Sequence, residues 1–236
     1  MCALNATATV AAQLKRKPVR TQLEDGVSDQ PTDPNEFRRH MDEFWIRNNI
    51  AFLARYWTTA SEALRAVAAE PERATEFRGR DDPPGYVGAV VEGHLEHHHY
   101  SGVLLAYATF DEFMVVLTER LGTHHEAPIT PNDLRDRGVR RYRKFVHQVC
   151  GVDADQVDID WEFLEDFAAV RNAIIHANGN RSHLSNAKQL QQVVERRSPA
   201  LGFKHEVKLV ITEEYVRQCL LTVLRAATSL NSATTG

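Results

Sequence analysis

Trp161-Glu162-Phe163-Leu164-Glu165-Asp166-Phe167-Ala168-Ala169-Val170-Arg171-Asn172-Ala173-Ile174-Ile175-His176-Ala177-Asn178-Gly179 is the stretch on which the reading of this chain turns. It is an apolar run with helical character, expected over about Asp160 to Ala177, and Asn178-Gly179 suits a left-handed cap just past its end. Three polar residues crowd its second half. His176 falls in the last turn, where the partial negative charge of a helix C-terminus favours a protonated imidazole. Asn172 lies four residues before His176 and shares its face, so it is placed to hold the ring. Arg171 lies about 140° around the helix from His176.

Outward from this helix the pattern stays helical. Asp33-Pro34-Asn35-Glu36 is a start signal, with Pro34 suited to the first turn and Glu36 able to reach back to the cap amide. Phe37, Met41, Phe44, Trp45, Phe52, Tyr56, Trp57, Ala60 and Leu64 then recur at three and four, ending by Pro71. So long a helix invites a break near Asn48-Asn49. Residues 71–88, with three prolines and three glycines, predict a loop, and Asp81 to Tyr86 a turn within it. A second helix is expected from about Val90 to Leu121, with Val103, Tyr107, Phe110, Met114, Leu117 and Leu121 as its stripe. Thr130-Pro131-Asn132-Asp133 opens a third, running to about Cys150-Gly151. A short helix is expected around Lys188–Arg196, then an extended segment over Phe203–Ile211, where apolar residues alternate. Thr212-Glu213-Glu214 starts the last helix, with Val216, Leu220, Val223 and Leu224 as its apolar face. Each helix buries only one face, so none is stable alone. The expected fold is all-α, an up-and-down helical bundle of about five helices. Residues 1–32 read as a flexible N-terminal tail and 33–236 as a single domain.

Composition sets the class. Of 236 residues, 43% are hydrophobic and 25% charged, the balance of an ordinary soluble globular protein. No uninterrupted apolar run approaches the roughly 18 residues of a membrane span, and no signal-peptide pattern opens the chain. Cys2, Cys150 and Cys219 are odd in number and in no metal spacing, which points to free thiols and the cytoplasm. A net charge of −4 argues against strong non-specific binding to long nucleic acid. The charge is uneven, however. Arg137, Arg140, Arg141 and Lys144 recur at three and four, which predicts a basic face on the third helix. Phosphate contact is the functional reading of that face and a solvated surface the plain one. Tyr142 beside it is a candidate for stacking a base.

Spacing alone proves little. With 22 Arg and 11 His, about one Arg-x-x-x-x-His pair is expected by chance. Two occur, and the other, Arg120 to His125, straddles Gly122, where a helix should end. Context singles out Arg171-Asn172-x-x-x-His176-x-x-Gly179, which resembles the signature of the HEPN superfamily of small α-helical ribonucleases and toxins. Tyr107-x-x-Phe110-Asp111-Glu112-Phe113-Met114 resembles that family's earlier acidic helix, and Val210 to Val216 the start of its last one. The resemblance covers roughly residues 90–232.

The resemblance implies a dimer in which two motifs share one cleft and cut RNA without a metal. The ribose 2′-oxygen is the nucleophile, giving a cyclic phosphate and a 5′-hydroxyl. His176 would then be the general acid or base, and Arg171 would stabilise the phosphorane-like transition state with its guanidinium fork. Asn172 would orient the imidazole or contact phosphate, and Asp111 would position Arg171. A toxin or defence role, with a neutralising protein partner, fits the same resemblance. No cofactor is implied. The competing readings are a non-catalytic HEPN-like module binding nucleotide, RNA or a protein, and a metal-binding bundle built on His94, His97, His98 and His99. In the plainest reading Arg171 pairs with Glu165, Asp166 or Asp111, and His176 merely bonds the last helical carbonyls.

Overall fold

The computed structural model describes residues 34–69 and 86–234. Six α-helices and one β-hairpin lie within them: α1 (Pro34–Ala69), α2 (Tyr86–His124), α3 (Val139–Lys144), α4 (Trp161–Ala177), α5 (Ala187–Arg196), β1 (Leu201–Lys204), β2 (Lys208–Ile211) and α6 (Glu213–Ala233). The protein is predominantly helical, as expected. Residues 1–32 and 70–85, where the tail and most of the Pro/Gly-rich loop are expected, lie outside the described residues.

At the centre is α2, packed against α1, α4, α6 and β2. Its expected stripe is the middle of the core: Val103, Phe110, Met114, Leu117 and Leu121 are all buried. Around them pack Phe163, Leu164 and Phe167 of α4 and Tyr215, Val216 and Val223 of α6. Each such side chain contributes about 1.5–3 kcal/mol by leaving water. The helix starts earlier than expected, at Tyr86, and runs through Gly122, where it was expected to stop, to His124, because packing on three sides outweighs a glycine's cost of about 1 kcal/mol. Within it, Ala89–His124 is long and apolar enough to cross a membrane by length and composition. No uninterrupted apolar run announces this stretch, because polar residues are spread through it. Its packing as the hub of the bundle accounts for the same composition.

Four expectations change. α1 runs unbroken through Asn48-Asn49, the amide of Asn49 donating to the Trp45 carbonyl. The expected third helix is instead a capped single turn at Pro131–Asp133, a coil, the short α3 and a π-turn over Phe145–Val149. The Thr130 backbone N–H and hydroxyl both donate to Asp133 Oδ2 at 2.8 Å, closing the first turn. Gly138, at φ 57°, then redirects the chain. The extended segment is a two-stranded antiparallel hairpin, Leu201 opposite Ile211, turned by His205 and Glu206 in left-handed conformation. Finally, the stripe assigned to α1 is split: Trp57 is buried, while Phe37, Met41, Phe44, Phe52 and Tyr56 face outward.

Candidate active site

Both ends of α4 are capped, the C-terminal one as the sequence predicts. Asp160 accepts from the Phe163 N–H, and Asn178 at φ 47° takes the left-handed position that ends the helix. The Asn178 and Gly179 amides bond back to Ile174 and Ala173 at 2.9 and 3.0 Å. The turn is then locked from outside. The Gly179 carbonyl accepts from the Leu209 N–H at 2.8 Å. Lys208 Nζ donates to the Asn178 carbonyl at 2.7 Å. Tyr100 donates to the Leu209 carbonyl at 2.6 Å. A Cβ on Gly179 would sit 2.1 Å from the Tyr100 hydroxyl oxygen, so this cap requires glycine both for its φ of 71° and for space.

On this fixed end His176 is exposed and makes no hydrogen bond or ion pair with any described residue. Arg171 is half-buried. Its Nη1 donates to Asn172 Oδ1 at 2.9 Å, and its guanidinium carbon lies 5.4 Å from the centre of the Tyr107 ring. Asn172 therefore holds Arg171 here, not the imidazole. Among the described residues Arg171 has no carboxylate partner. Two acids that the plainest reading pairs with it are engaged elsewhere. Asp166 accepts from Arg196 and Arg197 at 2.5 and 2.8 Å. Glu165 sits 3.6 Å from both Arg140 and Arg143.

Asp111 does not bond Arg171 either. Its Oδ1 accepts the Tyr142 hydroxyl at 2.8 Å. The link between them is aromatic: Phe167 meets Tyr107 edge-on at 5.1 Å, Tyr107 meets Phe110 at 5.6 Å, and Phe110 meets Tyr142 edge-on at 6.1 Å. Arg171 covers Tyr107 at one end of this ladder, and Arg141 covers Tyr142 at the other, 5.2 Å from its centre. Burial first, and then Asp111, raise both phenols: Tyr107 upward, Tyr142 to about 12. Both hydroxyls therefore stay protonated, and Tyr142 acts as a donor. With only 1% of its surface exposed, Tyr142 has no ring face free for a base, so the stacking role expected of it is corrected.

The basic face also comes apart. Arg137 precedes α3, Arg140 leans on Glu165, and Lys144 Nζ lies 3.0 Å from Asp136. The periodicity assumed one long helix, and Gly138 ends that assumption. Arg141 turns the other way, its Nη1 donating to Asn132 at 3.1 Å. Its Nε is buried without a partner among the described residues, and the Arg141 side chain lines a groove of about 440 Å³ walled by Val115, Thr118, Ile129, Pro131 and Phe145. On α2 the groove extends from Val115 to Thr123. Sequence reasoning missed it, and missed Tyr107 as the seat of Arg171. The available signal was that Tyr100, Tyr107 and Asp111 fall on one face of α2, at steps of seven and four.

The histidine cluster on α2 is dispersed. His98 Nε2 lies 2.9 Å from Ser61 Oγ with its ring stacked on Trp57, His97 bonds the Gly93 carbonyl, and His99 is turned inward. Among the described residues no three His, Cys, Asp or Glu side chains converge as metal ligands. No family model, curated protein or solved structure matches the chain. The resemblance to HEPN proteins rests on the motif and its helical setting alone.

Proposed function

We propose that this chain is a HEPN-like endoribonuclease that works as a homodimer without a metal. The observation that carries the reading is Arg171: a half-buried guanidinium, seated on Tyr107 and steadied by Asn172, with no carboxylate against it, one turn from an exposed and unpartnered His176. A cation held in this way suits an anion brought from outside, and a planar fork suits phosphate oxygens. Arg171 and His176 diverge around the helix, so a single copy does not aim both at one phosphate. Two copies related by a two-fold axis supply both groups to a shared cleft. The 2′-hydroxyl then attacks the adjacent phosphorus, one imidazole taking its proton. The P–O5′ bond breaks and the leaving oxygen takes a proton, giving a 2′,3′-cyclic phosphate and a 5′-hydroxyl. The tight Asn178-Gly179 turn fixes the imidazole on a rigid element. Asp111 acts indirectly, anchoring Tyr142 and the ladder beneath Arg171. Arg137 and Arg141 give the RNA further cationic contacts. A cytoplasmic toxin or defence enzyme, with a protein that neutralises it, is the setting this chemistry suits.

The decisive experiment is cleavage of mixed RNA in excess EDTA by the wild-type chain and by His176→Ala, with the product ends identified. Cyclic phosphate from the wild type alone is the expected result. Equal cleavage by both proteins would sink the assignment. The groove beside Arg141 favours a second reading, a non-catalytic module that binds nucleotide or RNA; binding without cleavage by either protein would select it.

A further inference from the structure

We infer that the outer face of α1 is a self-association surface, on which a second copy of the chain packs its own α1 antiparallel, centred on Asn48. The helix has two contrasting faces. Ile46, Ile50, Trp57 and Ser61 are buried, and Trp45 meets Phe113 edge-on at 4.8 Å. On the outer side Phe37, Met41, Phe44, Phe52 and Tyr56 are 52, 48, 55, 70 and 57% exposed. Their spacing of four and three, with Asn48 filling the gap between Phe44 and Phe52, confines them to one stripe about 120° wide. An aromatic side chain offers about 150–250 Å², so four half-exposed aromatics and a half-exposed methionine open roughly 500 Å². That is a patch size that marks an interaction site.

A second copy meets the area requirement. Two such stripes remove roughly 1,000 Å² from water, where specific interfaces begin. The pattern is also its own complement. Antiparallel pairing about Asn48 sets Phe44 against Phe52 and Met41 against the Arg55–Tyr56 turn. Asn48 then meets Asn48, and two side-chain amides can exchange hydrogen bonds and fix the register. Parallel pairing would instead stack Arg47 and Arg55 near their own copies and align the two helix dipoles. Within the chain, residues 1–33 contain no aromatic residue, and residues 70–85 contain one phenylalanine among eight charged side chains. Neither offers a matching stripe.

This surface is separate from the proposed active site. α1 meets α2 at His98, Gly102 and Phe113, whereas Arg171 meets it at Tyr107, about half a turn away. Pairing through α1 therefore does not bring two copies of His176 together, and the inference stands whether or not the chain cuts RNA. The test is the solution mass of the full chain at micromolar concentration, by light scattering, for the wild type and for a Phe44→Glu/Phe52→Glu double variant. Both positions point outward, so the fold should survive, as circular dichroism would show. The expected result is a twofold fall in mass: dimer to monomer, or tetramer to dimer where the active-site pairing also forms. A monomeric wild type, or an unchanged mass in the variant, overturns the inference. Register is read by mixing Phe44→Cys and Phe52→Cys chains in a Cys2→Ser background. Disulfides joining position 44 to position 52 support the antiparallel pair, and an excess of 44–44 disulfides overturns it.

Discussion

Glu162, Glu165 and Asp166, in the first half of α4, all sit against arginines, whereas Arg171 and His176, in its second half, sit against no acid among the described residues. The two halves share one helix and one buried stripe, so propensity does not separate them. The difference lies in neighbours. The first half faces α3 and the end of α5, which bring Arg140, Arg143, Arg196 and Arg197 to its carboxylates. The second half faces Tyr107 and the hairpin, which bring an aromatic surface and a rigid turn but no carboxylate. Charges in the first half fasten elements together; those in the second are left available.

The largest effect that would break this contrast is catalytic. His176→Ala is expected to keep its fold and lose about 10²–10⁴-fold in cleavage rate, the usual cost of removing an acid–base group. Arg171→Lys should also be poorly active, since an ammonium cannot present the fork. Wild-type rates for both in a cleavage time course would reduce the second half of α4 to ordinary surface.

Asp166→Ala should do the opposite, costing stability and leaving the chemistry of a still-folded fraction intact. Asp166 is 3% exposed and binds two arginines. Breaking a buried pair costs about 3–5 kcal/mol, and the low end applies because Arg196 is itself 43% exposed. A shift in urea midpoint under a few tenths of a molar would show these ion pairs to be superficial.

Gly179→Ala connects the two halves, since it loosens the platform without touching a charged group. The left-handed φ costs about 1–3 kcal/mol, and the new methyl must displace Tyr100 from its bond to Leu209. Both stability and activity should fall, and a variant as stable as wild type would show that the turn is free to move.

Smaller effects sharpen the picture. Arg141→Ala should weaken RNA binding modestly and lower the slope of log affinity against log salt by about one, and an unchanged slope would confine Arg141 to the Tyr142 contact. The last test concerns pH. Burial holds the His99 imidazole below its usual range; a backbone bond to Ile211 opposes the shift, and His98 and Arg65 add to it. The unfolded chain then binds a proton that the folded chain refuses, so stability is full above about pH 6.5 and declines as pH falls below it. His99→Gln should flatten that decline in a chemical-denaturation series. A series in which the wild type shows no loss down to pH 5 would remove His99 as its cause.

What the sequence determined by itself was periodic and local. The 3.6-residue recurrence in α2 and α6 named the core side chains correctly, because burial of one helical face depends on spacing along a single element. The C-terminal end of α4 was legible for the same reason: Asn178 and Gly179 act on backbone groups within six residues. Tertiary structure decided the rest. Whether Arg171 had an acid beside it depended on where α3 and α5 carried their arginines. Whether Tyr142 was open to a base depended on Phe110 and Asp111, thirty residues away in sequence. Which aromatic residues of α1 were buried depended on how that helix rolled onto α2, since apolar residues lie around most of its circumference and periodicity alone cannot choose among them. Contacts between elements are set by packing of whole faces, and that information is not written in the spacing of any one of them.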